Sequence, residues 1–311
     1  MKSVHAAITA LGVWAALIPT AGGADGCYMP TEESWRRQRE RSLILEPDQK
    51  ALIYYSRGVE QLIISPNYSG EASDFAWVVP VPSRPRVEVL KGAPFHELAR
   101  LVEPVPPAPA GRMAFSAKSA SEAAGVVVLE RKTVGDYDVS VLSATDGRAL
   151  MRWLAENHYH LPPKAEAPMR AYIADGWTFV ASKIRLHDSA KGLKSGTLTP
   201  LKLTFSAAHP IYPMRLTSAT ARPFTALIYI AEPVTSGVDP LVPISRPGQG
   251  RIGGQEPYST KVLSAGMRRS FPTLAAFSEA PMRVTWLRTY LRPDQCDRDF
   301  IWEHRQRPIL R

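Results

Sequence analysis

The run Gly70-Glu-Ala-Ser-Asp-Phe-Ala-Trp-Val-Val-Pro-Val-Pro-Ser-Arg-Pro85 constrains the fold of this chain more than any other stretch. Its aromatic and β-branched residues have the character of a buried strand, yet Pro80 and Pro82 interrupt it. Proline has no N–H to give to a ladder, so a strand over Asp74 to Val81 must end at a sheet edge or a bulge. The same stretch holds the candidate ligand-binding residues. Asp74, Trp77, Arg84 and Arg86 bring a carboxylate, an indole and two guanidiniums close along the chain, a mixture suited to saccharide or peptide binding. The competing structural reading makes Trp77 core, because it shares strand parity with Phe75 and Val79, and makes Asp74 the cap of a turn.

The rest of the pattern is also mostly strand. Lys50 to Arg57 and Val59 to Tyr68 read as an apolar pair turning at Gly58, and Val126 to Lys132 with Tyr137 to Leu142 as a second pair. Trp177 to Leu186, Leu201 to Phe205, Met214 to Leu216 and Phe224 to Ala231 predict further strands and a largely antiparallel meander. The strongest helix spans Asp146 to Asn157, where Leu150, Trp153 and Leu154 lie on one face and Asp146 or Thr145 can cap. Phe95 to Val102 and Glu32 to Ser42 are shorter helix candidates. The fold class is therefore strand-dominated α+β, mainly antiparallel sheet with a few short helices.

Two regions rich in proline and glycine punctuate the chain. Residues 103–124 read as a Pro-rich loop and residues 236–257 as a Pro/Gly-rich loop. The expected organisation is a signal peptide at 1–24, a strand-rich domain at 25–235, the 236–257 loop, and a C-terminal segment, 258–311, packing on the same domain.

The signal peptide rests on a three-part pattern: Lys2, an apolar stretch from Val4 to Ile18, and the small residues Thr20 to Ala24. The stretch is shorter than the roughly 20 residues that cross a bilayer. No later run is long and uncharged, so the mature chain is expected to lack a transmembrane segment and to be periplasmic or extracellular after cleavage near Ala24. The two cysteines, Cys27 and Cys296, both follow that point. In an oxidising compartment they are expected to pair, a bridge that the chain-entropy model values at about 4–5 kcal/mol; the alternative is two unrelated thiols.

The formal net charge is +9. An excess of that sign suits anionic envelope components as partners, or another envelope protein, with nucleic acid excluded by export. Arginines gather at Arg36 to Arg41 and again from Arg283 to the end. Spacing alone does not say whether they share a face.

Common chemistry is hard to place. Gly-x-Ser-x-Gly, Ser-x-x-Lys and phosphate-loop motifs are missing from the sequence. His96-Glu97-Leu-Ala-Arg100 begins like a zinc-protease helix, but arginine stands where the second histidine belongs. Gly248-Gln-Gly-Arg-Ile-Gly253 matches a dinucleotide fingerprint in letters only, since Pro247 and Pro257 flank it where a strand and a helix are needed. His158 and His160 read as a helix C-terminal cap. No catalytic residue, metal ligand or cofactor is assigned.

The Trp77-Val-Val-Pro-Val-Pro82 block resembles the signature of a bacterial family catalogued as domain of unknown function 2330. Leu52 to Glu60, Val128 to Val139, Leu198 to Phe205 and Ile211 to Leu216 are similar to the same family. The resemblance covers roughly residues 27–233 and implies an exported envelope protein; it carries no activity and no functional residues. The expectation is an exported protein with a non-catalytic interaction or structural role. Two alternatives stand: an envelope hydrolase of glycan or peptide with a dispersed active site, and a binder of anionic lipid or glycan.

Overall fold

The computed structural model describes residues 27–30, 48–65, 67–69, 74–102, 125–135, 137–159, 161–185, 195–197, 199–220, 223–248 and 259–305. The expected signal peptide, the Glu32 to Ser42 helix, the 103–124 loop and His160 lie outside them.

In chain order the strands are β1 (Cys27–Pro30), β2 (Asp48–Ser56), β3 (Val59–Ile64), β4 (Asn67–Ser69), β5 (Asp74–Val81), β6 (Arg86–Val89), β7 (Val126–Val134), β8 (Tyr137–Ala144), β9 (Thr178–Arg185), β10 (Ser195–Thr197), β11 (Leu201–Ser206), β12 (Ile211–Tyr212), β13 (Phe224–Pro233), β14 (Leu241–Ser245), β15 (Ser259–Leu263), β16 (Met282–Leu291) and β17 (Phe300–His304). The helices are α1 (Pro94–Val102), α2 (Gly147–Glu156), α3 (Glu166–Ala174) and α4 (Pro272–Ala275). The fold is strand-dominated α+β with mostly antiparallel sheets, the class that the sequence predicts.

Two large sheets pack face to face. The seven-stranded sheet runs β15-β16-β13-β2-β3-β11-β6, and the five-stranded sheet runs β1-β5-β9-β8-β7. Between them lies the main core, with Ile53, Leu62, Leu203 and Ile228 from the first sheet against Trp77, Val79, Tyr137 and Val180 from the second. A three-stranded sheet, β12-β17-β14, adds Tyr212, Phe300 and Trp302 to that core. Helices cover both outer faces. α2 and α3 pack Leu150, Trp153, Met169 and Tyr172 on Val78, Leu142 and Phe179. α1 and α4 pack Leu98, Leu101 and Leu274 on Leu52, Ile63 and Tyr229. The result is four layers, helix, sheet, sheet, helix.

Local chemistry explains several elements. Arg57 (φ 53°) and Gly58 (φ 75°) both take left-handed backbone, the geometry of a two-residue hairpin turn matching strand twist, and join β2 to β3. At α2, Asp146 caps the helix, its Oδ1 accepting from the Ala149 amide at 2.8 Å. Pro80 pairs with Phe179 on the β9 side of β5, while β1 pairs only with residues 75–78 on the other. Pro80 thus lies one residue from the end of β5 and in register with β9, in a strand that runs between two neighbours.

Three expectations change. Met214 to Leu216 is no strand: residues 215–219 form a 3-10 turn. The Met214 and Arg215 amides donate to Asp299 Oδ1 at 2.7 and 3.1 Å instead of to a sheet. Within the expected 236–257 loop, β14 pairs with β17 at the edge of its sheet, where Pro243 is tolerated. Nor is the second half a sequential meander, because β13 pairs in parallel with β2 and antiparallel with β16.

Candidate functional site

The four residues singled out from the sequence do not converge. Trp77 is buried in the main core, its ring centroid 6.5 Å from that of Tyr137. Asp74 opens β5 opposite Arg185, and its side chain lies outside the described residues. At about 3.4 Å per residue, some 24 Å of strand separates Asp74 from Val81 at the far end. Arg84 and Arg86 lie beyond that end. Arg84 donates to the Leu129 carbonyl at 3.1 Å, tying the β5–β6 connection to the bulge in β7. Arg86 pairs with Glu88 at 3.2 Å, and Lys202 meets the same carboxylate at 3.0 Å. Hydrogen bonding by Lys202, with the charges of Lys202 and Arg86, holds the Glu88 carboxyl below the usual range.

Most interior acids join distant segments. Glu97, the acid of the pseudo-protease stretch, accepts from the Thr273 and Leu274 amides at 3.0 and 2.9 Å and so fixes α4 against α1. Glu232 accepts from Arg283 at 3.0 Å and from the Leu241 amide at 3.2 Å, holding the start of β14. Asp299 gathers four donors. Its Oδ1 takes the Tyr172 hydroxyl and the Met214 and Arg215 amides, while Oδ2 takes Arg215 Nε at 2.9 Å. Arg215 also reaches Asp175 at 2.8 Å and lies 4.0 Å above the Tyr172 ring. Burial, then the neighbouring Asp299 charge, pushes the Tyr172 hydroxyl well above its ordinary pKa. With its carboxylate oxygens so engaged, Asp299 is a clasp between α3, the 215–219 turn and the start of β17.

Glu60 differs. It is fully buried on β3; Oε2 accepts from the Ile211 amide at 2.8 Å, and Oε1 has no hydrogen-bond partner among the described residues. Burial pushes its pKa well above the ordinary carboxylate value, which favours the neutral form. On the adjoining strand Tyr55 donates to the Ala207 and Ala208 carbonyls; burial first, and then Glu60 once it ionises, raise its pKa.

The outer face of the seven-stranded sheet carries a cluster that sequence reasoning missed. Trp286, Arg288 and Tyr290 alternate along β16 onto the same face as Met282 and Val284. Register puts Leu227 between Arg288 and Lys50 in one row across β16, β13 and β2. Thr225 stands in the next row between Tyr290 and the backbone of Asp48. The helix layer reaches the row of Tyr229, whose ring lies 6.4 Å from that of Phe95. Beyond it Arg288 is exposed, Lys50 and Leu227 are half-buried, and Tyr290 is 66% exposed. Neither Lys50 nor Arg288 has an ion-pair partner among the described residues. The sequence reading placed no strand over 282–291, and the meeting of Arg288 with Lys50, far away in sequence, is made by the fold.

Cys296 is a buried free thiol whose Sγ lies 3.7 Å from the Arg292 carbonyl oxygen; burial, and then the nearby aspartates, push its pKa up to about 12. The Cys27 backbone stands opposite Val78, and its side chain is outside the described residues. β1 and the 293–295 turn each contact the 215–219 turn. Among the described residues no three His, Cys, Asp or Glu side chains are placed to hold a metal ion, and no helix is long and apolar enough to cross a membrane.

Residues 37–235 match a family of uncharacterised proteins conserved in bacteria, domain of unknown function 2330. The chain belongs to this family. The matched span of the domain of unknown function 2330 holds β2 to β13, and with them Lys50, Glu60 and Arg215, whereas Asp299 and the β16 cluster lie beyond it. No curated protein matches the chain. Among solved structures it is similar to baculovirus P35, at 8% identity over 85% of this chain and 98% of that one, with a TM-score of 0.38.

Proposed function

We propose that this protein is exported to the bacterial envelope and works there as a non-catalytic interaction module. The observation that carries the reading is the β16 face, where Arg288 and, two strands away, Lys50 have no ion-pair partner among the described residues and stand near an exposed Tyr290. A long cation keeps its charge in water there, available to an anionic partner. The use of Glu97, Glu232 and Asp299 as structural acceptors supports binding rather than turnover. The N-terminal pattern supports export, and an oxidising compartment supports a Cys27–Cys296 bridge in the mature protein.

The test is fractionation of the producing bacterium, followed by intact mass measurement and co-sedimentation of the purified protein with isolated envelope. The reading expects a mature chain that starts at Asp25, is two hydrogens light, and sediments with envelope material. An unprocessed chain in the cytoplasmic fraction, or one that stays in the supernatant, overturns it.

A further inference from the structure

We infer that residues 207–211, the connection from β11 into β12, form a proton-controlled flap that stays closed while the Glu60 carboxyl holds a proton and opens when that proton leaves. The connection is tied on two sides. Towards the β2–β3 hairpin, the Ala207 amide donates to the Gly58 carbonyl at 3.0 Å, and the Tyr55 hydroxyl donates to the Ala207 and Ala208 carbonyls at 3.0 and 2.9 Å. On the same side the Ile211 amide donates to Glu60 Oε2 at 2.8 Å. Towards β17, the Trp302 amide donates to the Pro210 carbonyl at 3.1 Å, and Ile211 pairs with Ile301. Only the tie from the Ile211 amide ends on a carboxyl group.

The surroundings of that carboxyl suit its neutral form. Glu60 is fully buried, one amide serves Oε2, and Oε1 has no hydrogen-bond partner among the described residues. A buried carboxylate needs more donors than that, or a cation. Across the strands Glu60 stands opposite Tyr55 of β2 and the apolar Phe205 of β11. Tyr212 of β12 turns its hydroxyl to Gln49 at 3.4 Å, and Arg84, beyond β5, donates to the Leu129 carbonyl. Arg57 on the hairpin and His209 on the connection are exposed. An ionised Glu60 is therefore best served by water. Lifting the connection to admit water breaks the few bonds just named, whereas parting β3 from β2 or from β11 breaks a ladder of six residue pairs. In the open state the carboxyl is hydrated and titrates at its ordinary value; in the closed state burial raises that value well above 4.5. Opening is thus rarest below 4.5 and grows as pH rises towards the closed-state value, by at most about tenfold per pH unit.

The test is hydrogen exchange read by mass spectrometry on the purified full chain, from about pH 5 to about pH 9, with rates corrected for the intrinsic chemistry of exchange. Protection over 207–211 should fall about tenfold or more across that range. Protection over 225–231, which β2 and β16 flank on both sides, should hold. Glu60→Gln, which has no proton to lose, should remove the pH dependence at 207–211. His209→Gln, which takes the titratable ring off the connection, should keep it. Tyr55→Phe should raise exchange of 207–211 about fivefold at every pH and leave the slope in place. A flat wild-type profile, a parallel loss at 225–231, a slope that survives Glu60→Gln, or a slope abolished by His209→Gln overturns the inference. Should Glu60→Gln fail to fold, the wild-type and His209→Gln profiles decide by the same criteria.

Discussion

The two outer faces of the sandwich use the same residue types to opposite ends. Over the five-stranded sheet, Arg131 lies 5.6 Å from the Trp153 ring, Lys183 lies 5.3 Å from the Tyr159 ring, and Arg215 lies 4.0 Å from that of Tyr172. Those three rings are buried under α2, α3 and their connections. On the far face of the seven-stranded sheet, Lys50 and Arg288 stand beside a Tyr290 that water reaches. A cation above a sealed ring serves packing. Where none of the described helices covers the sheet, the same residue types stay in contact with water.

That contrast can be broken most severely at the clasp. Asp299→Ala leaves the Arg215 guanidinium without its buried acceptor, and it should cost about 3–5 kcal/mol of stability in urea unfolding. A loss within 1 kcal/mol, on the scale of an ordinary surface change, would remove the clasp from the account.

The cysteines come next. If Cys27 and Cys296 bridge in the mature protein, reductant should lower its stability by about 2–4 kcal/mol. The Cys296→Ser variant should then be insensitive to reductant; equal melting curves with and without it would mean that the thiols stay apart.

Glu60 gives a smaller effect that depends on pH. Its folded pKa is raised, so the folded state holds its proton more tightly than the unfolded chain does. The stability contribution is complete below the ordinary value of 4.5 and is lost as pH rises toward the folded pKa, by at most about 1.4 kcal/mol per pH unit. Glu60→Gln keeps an oxygen for the Ile211 amide and has no proton to lose. Its stability relative to wild type should therefore climb with pH above 4.5; parallel pH profiles for the two proteins would refute the buried neutral acid.

The smallest effect sharpens the comparison directly. Arg131→Ala should cost about 0.5–1 kcal/mol of stability through the lost contact with Trp153, whereas Arg288→Ala should stay within about 0.5 kcal/mol. Thermal melts of the two variants side by side would show it, and a reversed order would contradict the division of roles between the faces.

What could be read from sequence was local. The Arg57-Gly58 turn and the Asp146 cap each depend on residues within a few positions of one another. Long-range encounters were not readable. Tyr172, Arg215 and Asp299 come from three separate segments, and their union converts an expected strand at Met214 into a turn. Likewise, Trp77 in an aromatic and charged stretch looked like a site, while the fold sends it inward and brings Arg288 to Lys50 instead. Strand parity told which residues share a face, but not which of two faces a helix would leave open.

The parallel pairing of β2 with β13 also has a bearing on time. Its register joins residues 48–54 to residues 225–231, and β13 in turn receives β16. The β2–β3 hairpin is thus made early and keeps one flank open until more than two thirds of the chain has emerged. Pairings of such sequence separation raise contact order and slow folding. During that interval the open flank, with Leu52 and Ile53 beside it, is the part of the nascent chain most in need of a companion.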